Sequence, residues 1–166
     1  MLTVNDGKDF ATMTAMLDEA GYHVNHRVLR CADYGIPQNR VRVFIIGVRK
    51  DLPNNVFDFL PEPSGRVTLS EFFHRDFERD MGFTIRCGGR RSGINSRHNW
   101  DTYRVDGKEY TLSVNDCRRL QGFPDDFVWC GSETKRYRML GNTIPTCLTR
   151  VVGEMIAKHA RASEAT

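Results

Sequence analysis

Apolar positions first recur at helical spacing over residues 9–20. There Phe10, Met13, Met16, Leu17 and Ala20 share a face, and Gly21 supplies a stop. A strand of mixed polarity is expected over 23–31, then a turn over 33–39 around Gly35 and Pro37. Residues 41–48 (VRVFIIGV) form a β-branched apolar run, which predicts a buried strand. The stretch RKDLPNNVFDFLPEPSGR (49–66) holds three prolines and reads as a crossing linker, with a short helix expected over 69–77.

From residue 81 to 110 the pattern changes. Gly82, Gly88, Gly89, Gly93 and Gly107 interrupt short candidate strands, and Asp106-Gly107 carries a hairpin signal. This predicts a small, glycine-rich, partly β module, with Trp100 and Tyr103 in its core. Helices then return. Ser113 with Asp116 suggests a capping box, and Gly122 closes that helix. A second helix is expected over 133–140. A third begins near Pro145 and carries an apolar stripe of Leu148, Val151, Val152, Met155 and Ile156, with a frayed tail after Lys158. One buried strand needs neighbours on both sides, and the pattern offers few. The chain start, a few residues before a helix, adds to the expectation of a part of a larger domain.

The length of 166 residues suits one domain, or one with a small appendage. Hydrophobic content of 40% with 27% charged residues argues against wholesale disorder, and no apolar run is long enough to cross a bilayer. No signal peptide is visible. Cys31, Cys87, Cys117, Cys130 and Cys147 form no CxxC pair, which argues against a zinc site or a disulfide framework and fits a reducing cytosol. The net charge of +3 decides little, but its distribution is uneven: Arg86, Arg90, Arg91, Arg97 and Arg104 face a single acid, Asp101, in one window. Such a window suits phosphate contacts or a solvated loop.

The stretch before the buried strand poses a puzzle. In GIPQNRVR, Gln38, Arg40 and Arg42 fall at alternate positions, so an extended chain puts them on one face. Buried arginine is costly unless paired. The residues alone leave two possibilities, structural ion pairs with acids such as Asp33, or a site for an anionic or hydrogen-bonding ligand.

Three blocks stand out together: ADYGIPQNRVRVFIIGVR (32–49), TLSVNDCRRLQGFPDDF (111–127) and MLGNTIP (139–145). In this order, separated by a basic module, they resemble the C-terminal half of a DNA cytosine-5 methyltransferase over about residues 10–156. The resemblance implies an α/β fold, the C-terminal part of a Rossmann-like S-adenosylmethionine-dependent domain interrupted by a target-recognition module. Residues 1–52 would belong to the catalytic domain, 53–112 to linker and recognition module, 113–160 to helices returning to the catalytic domain, and 161–166 to a tail. Arg42, Arg40 and Gln38 would line the pocket for a flipped cytosine, Arg42 on the base, Arg40 near phosphate or acidic residues, and Gln38 in support. A guanidinium fork suits a carbonyl oxygen or a phosphate, and chemistry on a duplex base requires extrusion. Asn142, Thr143 and Ile144, in a GNTIP variant of the family's G-N-S-V-P, would contact S-adenosylmethionine. Arg86, Arg90, Arg91, Arg97, His98 and Asn99 would contact double-stranded DNA, while Arg119, Leu120 and Phe123 would hold the module in place.

The family's nucleophile is a cysteine after proline, assisted by the glutamate of a Glu-Asn-Val motif. The cysteine attacks C6 of cytosine and so makes C5 a carbon nucleophile. This sequence contains no Pro-Cys, no Glu-Asn-Val and no glycine-rich cofactor loop. It is therefore expected to be inactive alone, as an excised half, a truncated or frameshifted gene product, or the smaller subunit of a split enzyme needing an N-terminal half. Self-association through an exposed sheet edge is also expected. A cytoplasmic, DNA-associated bacterial or phage protein of a restriction–modification system is implied, with no membrane partner and no metal. The alternative is a non-catalytic DNA-binding or regulatory module derived from such an enzyme.

Overall fold

A computed structural model describes residues 2–53, 56–58 and 61–164 of the chain. The fold is α/β, with two small sheets among the described residues, and its contacts divide it into two compact units.

The first unit comprises Met1–Leu29, Arg42–Glu62 and Val151–Thr166. Helix α1 (Lys8–Glu19) ends at Gly21, whose φ of 88° is the left-handed geometry expected of a stop. Strand β1 (Tyr22–Arg30) pairs with β2 (Val41–Arg49). The Lys50 amide donates to the Gly21 carbonyl (2.8 Å) and the Cys31 amide to the Arg40 carbonyl (3.0 Å), so the two strands run antiparallel. The Lys50 ammonium meets the Asp18 carboxylate at 2.8 Å, and Phe10 packs edge-on to His26.

The expectation of a fully buried strand over 41–48 is corrected here. None of β2 is buried; its residues are half-buried or exposed. Strand β1 is its one paired neighbour among the described residues, so much of β2 stays accessible. The last helix, α5 (Thr146–Glu164), also departs from expectation, running helical to residue 164 instead of fraying after Lys158. Of its stripe only Leu148 is fully buried; Ile156 remains 46% exposed. Four linker residues (54, 55, 59 and 60) and the last two of the tail lie outside the described residues.

The second unit comprises Arg30–Val41 and Pro63–Arg150. It therefore groups residues 113–150 of the expected returning helices with the module before them, while the rest of that segment, from Val151, falls in the first unit. Helix α2 (Leu69–Phe73) is shorter than the expected 69–77. It opens on a capping box between Thr68 and Glu71 and stops at His74, which has φ 55°. Strands β3 (Thr102–Val105) and β4 (Lys108–Thr111) form the expected hairpin, pairing Val105 with Lys108. Asp106 (φ 51°) and Gly107 (φ 73°) are both left-handed, as a two-residue type I′ turn requires. Trp100 and Tyr103 are each 1% exposed and sit in the core with Leu69, Ile85, Leu112 and Leu120. Helix α3 (Val114–Leu120) carries the Ser113–Asp116 capping box, and helix α4 (Glu133–Asn142) precedes α5.

Candidate functional site

The segment before β2 alternates as its sequence suggests. Gln38 and Arg40 are buried, while Asn39 and Val41 are exposed. A short parallel bridge fixes this register: the Asn39 amide donates to the Gly82 carbonyl (2.7 Å), and the Gly82 amide to the Pro37 carbonyl (2.8 Å). A Cβ on Gly82 would stand 2.9 Å from the Pro37 carbonyl oxygen, so the close approach needs glycine.

Both buried side chains reach backbone. Gln38 Nε2 donates to the Leu120 carbonyl (2.7 Å) and Gln121 Oε1 (3.3 Å), and its Oε1 accepts from the Ile85 amide (3.3 Å). Arg40 Nη1 donates to the Ile85 carbonyl (2.8 Å), and Nη2 to the carbonyls of Gly141 (3.1 Å) and Thr143 (2.6 Å). Hydrogen bonds with one charged partner contribute roughly 1.5–3 kcal/mol each. Three of them offset much of the several kcal/mol that burying a guanidinium costs. Where the resemblance implies phosphate or acidic residues, the Arg40 fork meets these three backbone carbonyls. Gln38 likewise ties its segment to the end of α3 and to Ile85.

Gln121 extends the network. It is fully buried, and its Nε2 donates to the Leu140 carbonyl. Its own carbonyl accepts from the Thr146 amide (2.9 Å). The three sequence blocks therefore meet in one hydrogen-bonded junction inside the second unit. The sequence reading missed Gln121, although a glutamine between Leu120 and the helix stop at Gly122 was a visible signal.

Gly141 is the other residue missed. A Cβ there would lie 2.4 Å from the Cys87 amide nitrogen and 2.5 Å from the Arg86 carbonyl carbon. The glycine-rich segment thus lies directly against the end of α4. Next to that contact the Cys87 thiol donates to Asn142 Oδ1 at 3.3 Å. Asn142 is exposed, Ile144 is 43% exposed, and the half-buried Thr143 donates its hydroxyl to the Met139 carbonyl (2.8 Å). Asn142 closes α4 instead of opening the last helix.

Arg42 belongs to the first unit and is half-buried on β2, so it is not grouped with Gln38 and Arg40. The basic segment divides in two. Arg86, Arg91, Arg97 and His98 are exposed. Arg86 Nη2 donates to the His98 carbonyl (2.5 Å), and Arg97 Nε to His98 Nε2 (3.0 Å). Asn99 is buried and Arg90 half-buried, and both are engaged by protein groups where the resemblance implies DNA. The Arg90 guanidinium lies 3.3 Å over the Tyr137 ring, with Asp101 at 3.6 Å and Glu133 at 3.5 Å. Asn99 is 7% exposed; its Nδ2 donates to the carbonyls of Ile94 (3.3 Å) and Thr102 (2.8 Å), and its Oδ1 accepts from the Thr102 amide (2.9 Å).

On α3, Arg119 donates to the Phe72 carbonyl (3.0 Å) and stacks over Phe73, while Leu120 is fully buried. Phe123 clusters with Phe127 and Trp129. Burial pushes the Cys117 thiol well up, and the half-buried Cys147 thiol is held below its usual range chiefly by a hydrogen bond from Cys31.

The family model for C-5 cytosine-specific DNA methylase matches residues 1–82 and 82–158. The chain belongs to the C-5 cytosine-specific DNA methylase family. It is 30% identical to the type II methyltransferase M.MthTI of Methanothermobacter thermautotrophicus over 90% of this chain and 61% of that protein. It is 27% identical to the type II methyltransferase M.BspRI of Lysinibacillus sphaericus over 96% of this chain and 49% of that protein. The chain thus spans about half to three-fifths of the length of these relatives. In fold it is similar to Spodoptera frugiperda DNMT2 (TM-score 0.63, 12% identity, 88% of this chain and 61% of that one). It is also similar to the Schizosaccharomyces pombe (S. pombe) Dnmt2 methyltransferase (TM-score 0.61, 13% identity, 88% and 60%). Among the described residues, no helix is long and apolar enough to cross a membrane.

Proposed function

We propose that this chain supplies the DNA-recognition module, a base-pocket arginine and the cofactor turn of a DNA cytosine-5 methyltransferase, and that it methylates only with a second half. The observation that carries this reading is the junction itself. The Gln38–Arg40 segment, the Leu120–Gln121 helix end and the Gly141–Thr143 turn are hydrogen-bonded together, with the exposed Arg86 next in sequence to the junction's Cys87. The second half would carry the Pro-Cys and Glu-Asn-Val motifs that this sequence lacks.

In this reading Arg42 donates to the extruded cytosine, most simply to its O2. Arg86, Arg91, Arg97 and His98 face double-stranded DNA, where arginines neutralise phosphates or read guanine edges. The accessible Asn142 amide beside the exposed Ile144 side chain fits a cofactor with both hydrogen-bonding and apolar faces, and these residues with Thr143 would hold S-adenosylmethionine. When bound, that cofactor supplies the methyl group. The protein's own part is to orient the base, exclude water and hold the turn in register.

The alternative, a non-catalytic DNA-binding or regulatory module, is favoured by one observation: the second unit has its own core around Trp100, Tyr103 and Leu120. Transfer of labelled methyl groups from S-adenosylmethionine to duplex DNA decides between them. Activity is expected from this chain mixed with a separately made N-terminal half of a relative, and not from either alone. Activity in neither case, with the chain folded and DNA bound, selects the alternative. Activity from this chain alone refutes the proposed division of labour.

A further inference from the structure

We propose that Arg40 is a positioning residue that couples the DNA-facing segment to the turn at Gly141–Thr143, so that duplex binding resets the turn. The inference rests on the reading of Arg86 as DNA-facing and of the turn as a ligand site. The guanidinium joins one carbonyl of the recognition segment, Ile85, to two carbonyls of the turn, Gly141 and Thr143. Arg40 is 2% exposed, so protein partners, these three carbonyls among them, and not solvent fix its geometry. The two segments also touch directly. The Arg86–Cys87 backbone packs on Gly141, with no room for a Cβ, and the Cys87 thiol donates to Asn142.

The exposed Arg86 is therefore one peptide bond from a residue that holds Asn142. A displacement of Arg86 on phosphate or base moves the Ile85–Cys87 backbone. That backbone cannot move without shifting either the Arg40 fork or the end of α4. Close-packed contacts transmit such shifts instead of absorbing them. Coupling of this kind is reciprocal, so whatever binds the turn must bias the DNA-facing segment by the same factor.

The test is a titration of the full-length, nitrogen-15-labelled chain with a duplex oligonucleotide, followed by amide shifts. In the unmodified protein, amides of 86–98 and of 141–143 are expected to move together. In Arg40→Lys, which keeps the charge but loses the fork, the shifts at 141 and 143 should fall by at least half while those at 86–98 persist. Cys87→Ala, at an exposed position, should reduce the shift at Asn142 and serves if Arg40→Lys does not fold. Shifts at 86–98 with none at 141–143 overturn the coupling and leave the DNA reading intact. Undiminished shifts at 141–143 in both variants mean direct DNA contact there and also overturn it. No shift anywhere in 86–98 refutes the DNA reading on which the coupling depends.

Discussion

Replacing Gly141 by alanine tests the junction, because two known effects have opposite sign there. Gly141 is the penultimate residue of α4, where alanine is favoured over glycine by at most the roughly 1 kcal/mol of a helix interior. On that ground alone Gly141→Ala would stabilise the protein. The added Cβ, however, would stand 2.4 Å from the Cys87 nitrogen, 2.5 Å from the Arg86 carbonyl carbon and 2.8 Å from the Cys87 Cα. All three are backbone atoms, so no rotamer change relieves the clash. Overpacking costs about 1–3 kcal/mol, and three backbone contacts this short place the cost at the upper end. The net expectation is a loss of about 2 kcal/mol.

Gly153→Ala is the matched control. Gly153 also sits within a helix, α5, and nothing lies within 4 Å of its added Cβ. It should gain about 1 kcal/mol. For a protein of this size about 1 kcal/mol moves Tm by roughly 2–4 °C. Thermal melts should therefore show Gly141→Ala lowered and Gly153→Ala raised, with the same ordering in urea midpoints. A Gly141→Ala protein as stable as the Gly153 variant would show that the glycine-rich segment does not lie against α4, and the junction would fail with it.

The two classes of basic-segment residue should separate cleanly. Asn99→Ala removes three hydrogen bonds from a buried amide and should cost about 1–3 kcal/mol, whereas Arg97→Ala should stay within about 0.5 kcal/mol in the same urea titration; equal effects would refute the assignment of inward and outward positions. In DNA binding, Arg91→Ala and Arg97→Ala should each lower the slope of log affinity against log salt by about one unit, and unchanged slopes would take both off the interface. In a reconstituted enzyme Arg42→Ala should abolish most methyl transfer while sparing DNA affinity; an unchanged rate would remove Arg42 from the pocket. Alkaline stability follows from the buried phenols. Burial pushes Tyr137 up to about 12, and pushes Tyr103 and the Cys117 thiol up as well. Between the unfolded and folded values the unfolded chain has lost protons that the folded chain retains, so stability is fully present below the unfolded values and falls as pH rises. Melts should show Tm dropping from about pH 9–10 upward, and a flat profile to pH 12 would contradict the burial.

What the sequence made legible and what it hid have a common cause. Local rules succeeded where a few neighbouring residues decide the geometry. The Asp106-Gly107 hairpin, the Ser113–Asp116 cap and the stop at Gly21 all depend on local backbone and side-chain chemistry. Alternation correctly put Gln38 and Arg40 on one buried face. It could not say what that face meets, because the partners lie 45 to 103 positions away in the chain. A guanidinium fork suits a row of carbonyls as well as a phosphate, so residue type alone favours a ligand where the fold provides backbone. The same ambiguity hid the inward turn of Arg90, since a cation near Asp101 in sequence reads as a loop charge until the Tyr137 ring is brought beneath it. The buried reading of β2 failed for a related reason: apolar composition records what a strand can bury, while its actual burial depends on neighbours, and among the described residues β1 is the one paired with it. Motif residues that look catalytic in a linear reading can therefore be the struts of a junction. Beside those struts stand exposed residues, Arg86 next to Ile85 and Asn142 next to Gly141, and these are the positions that the proposed reading gives to ligands.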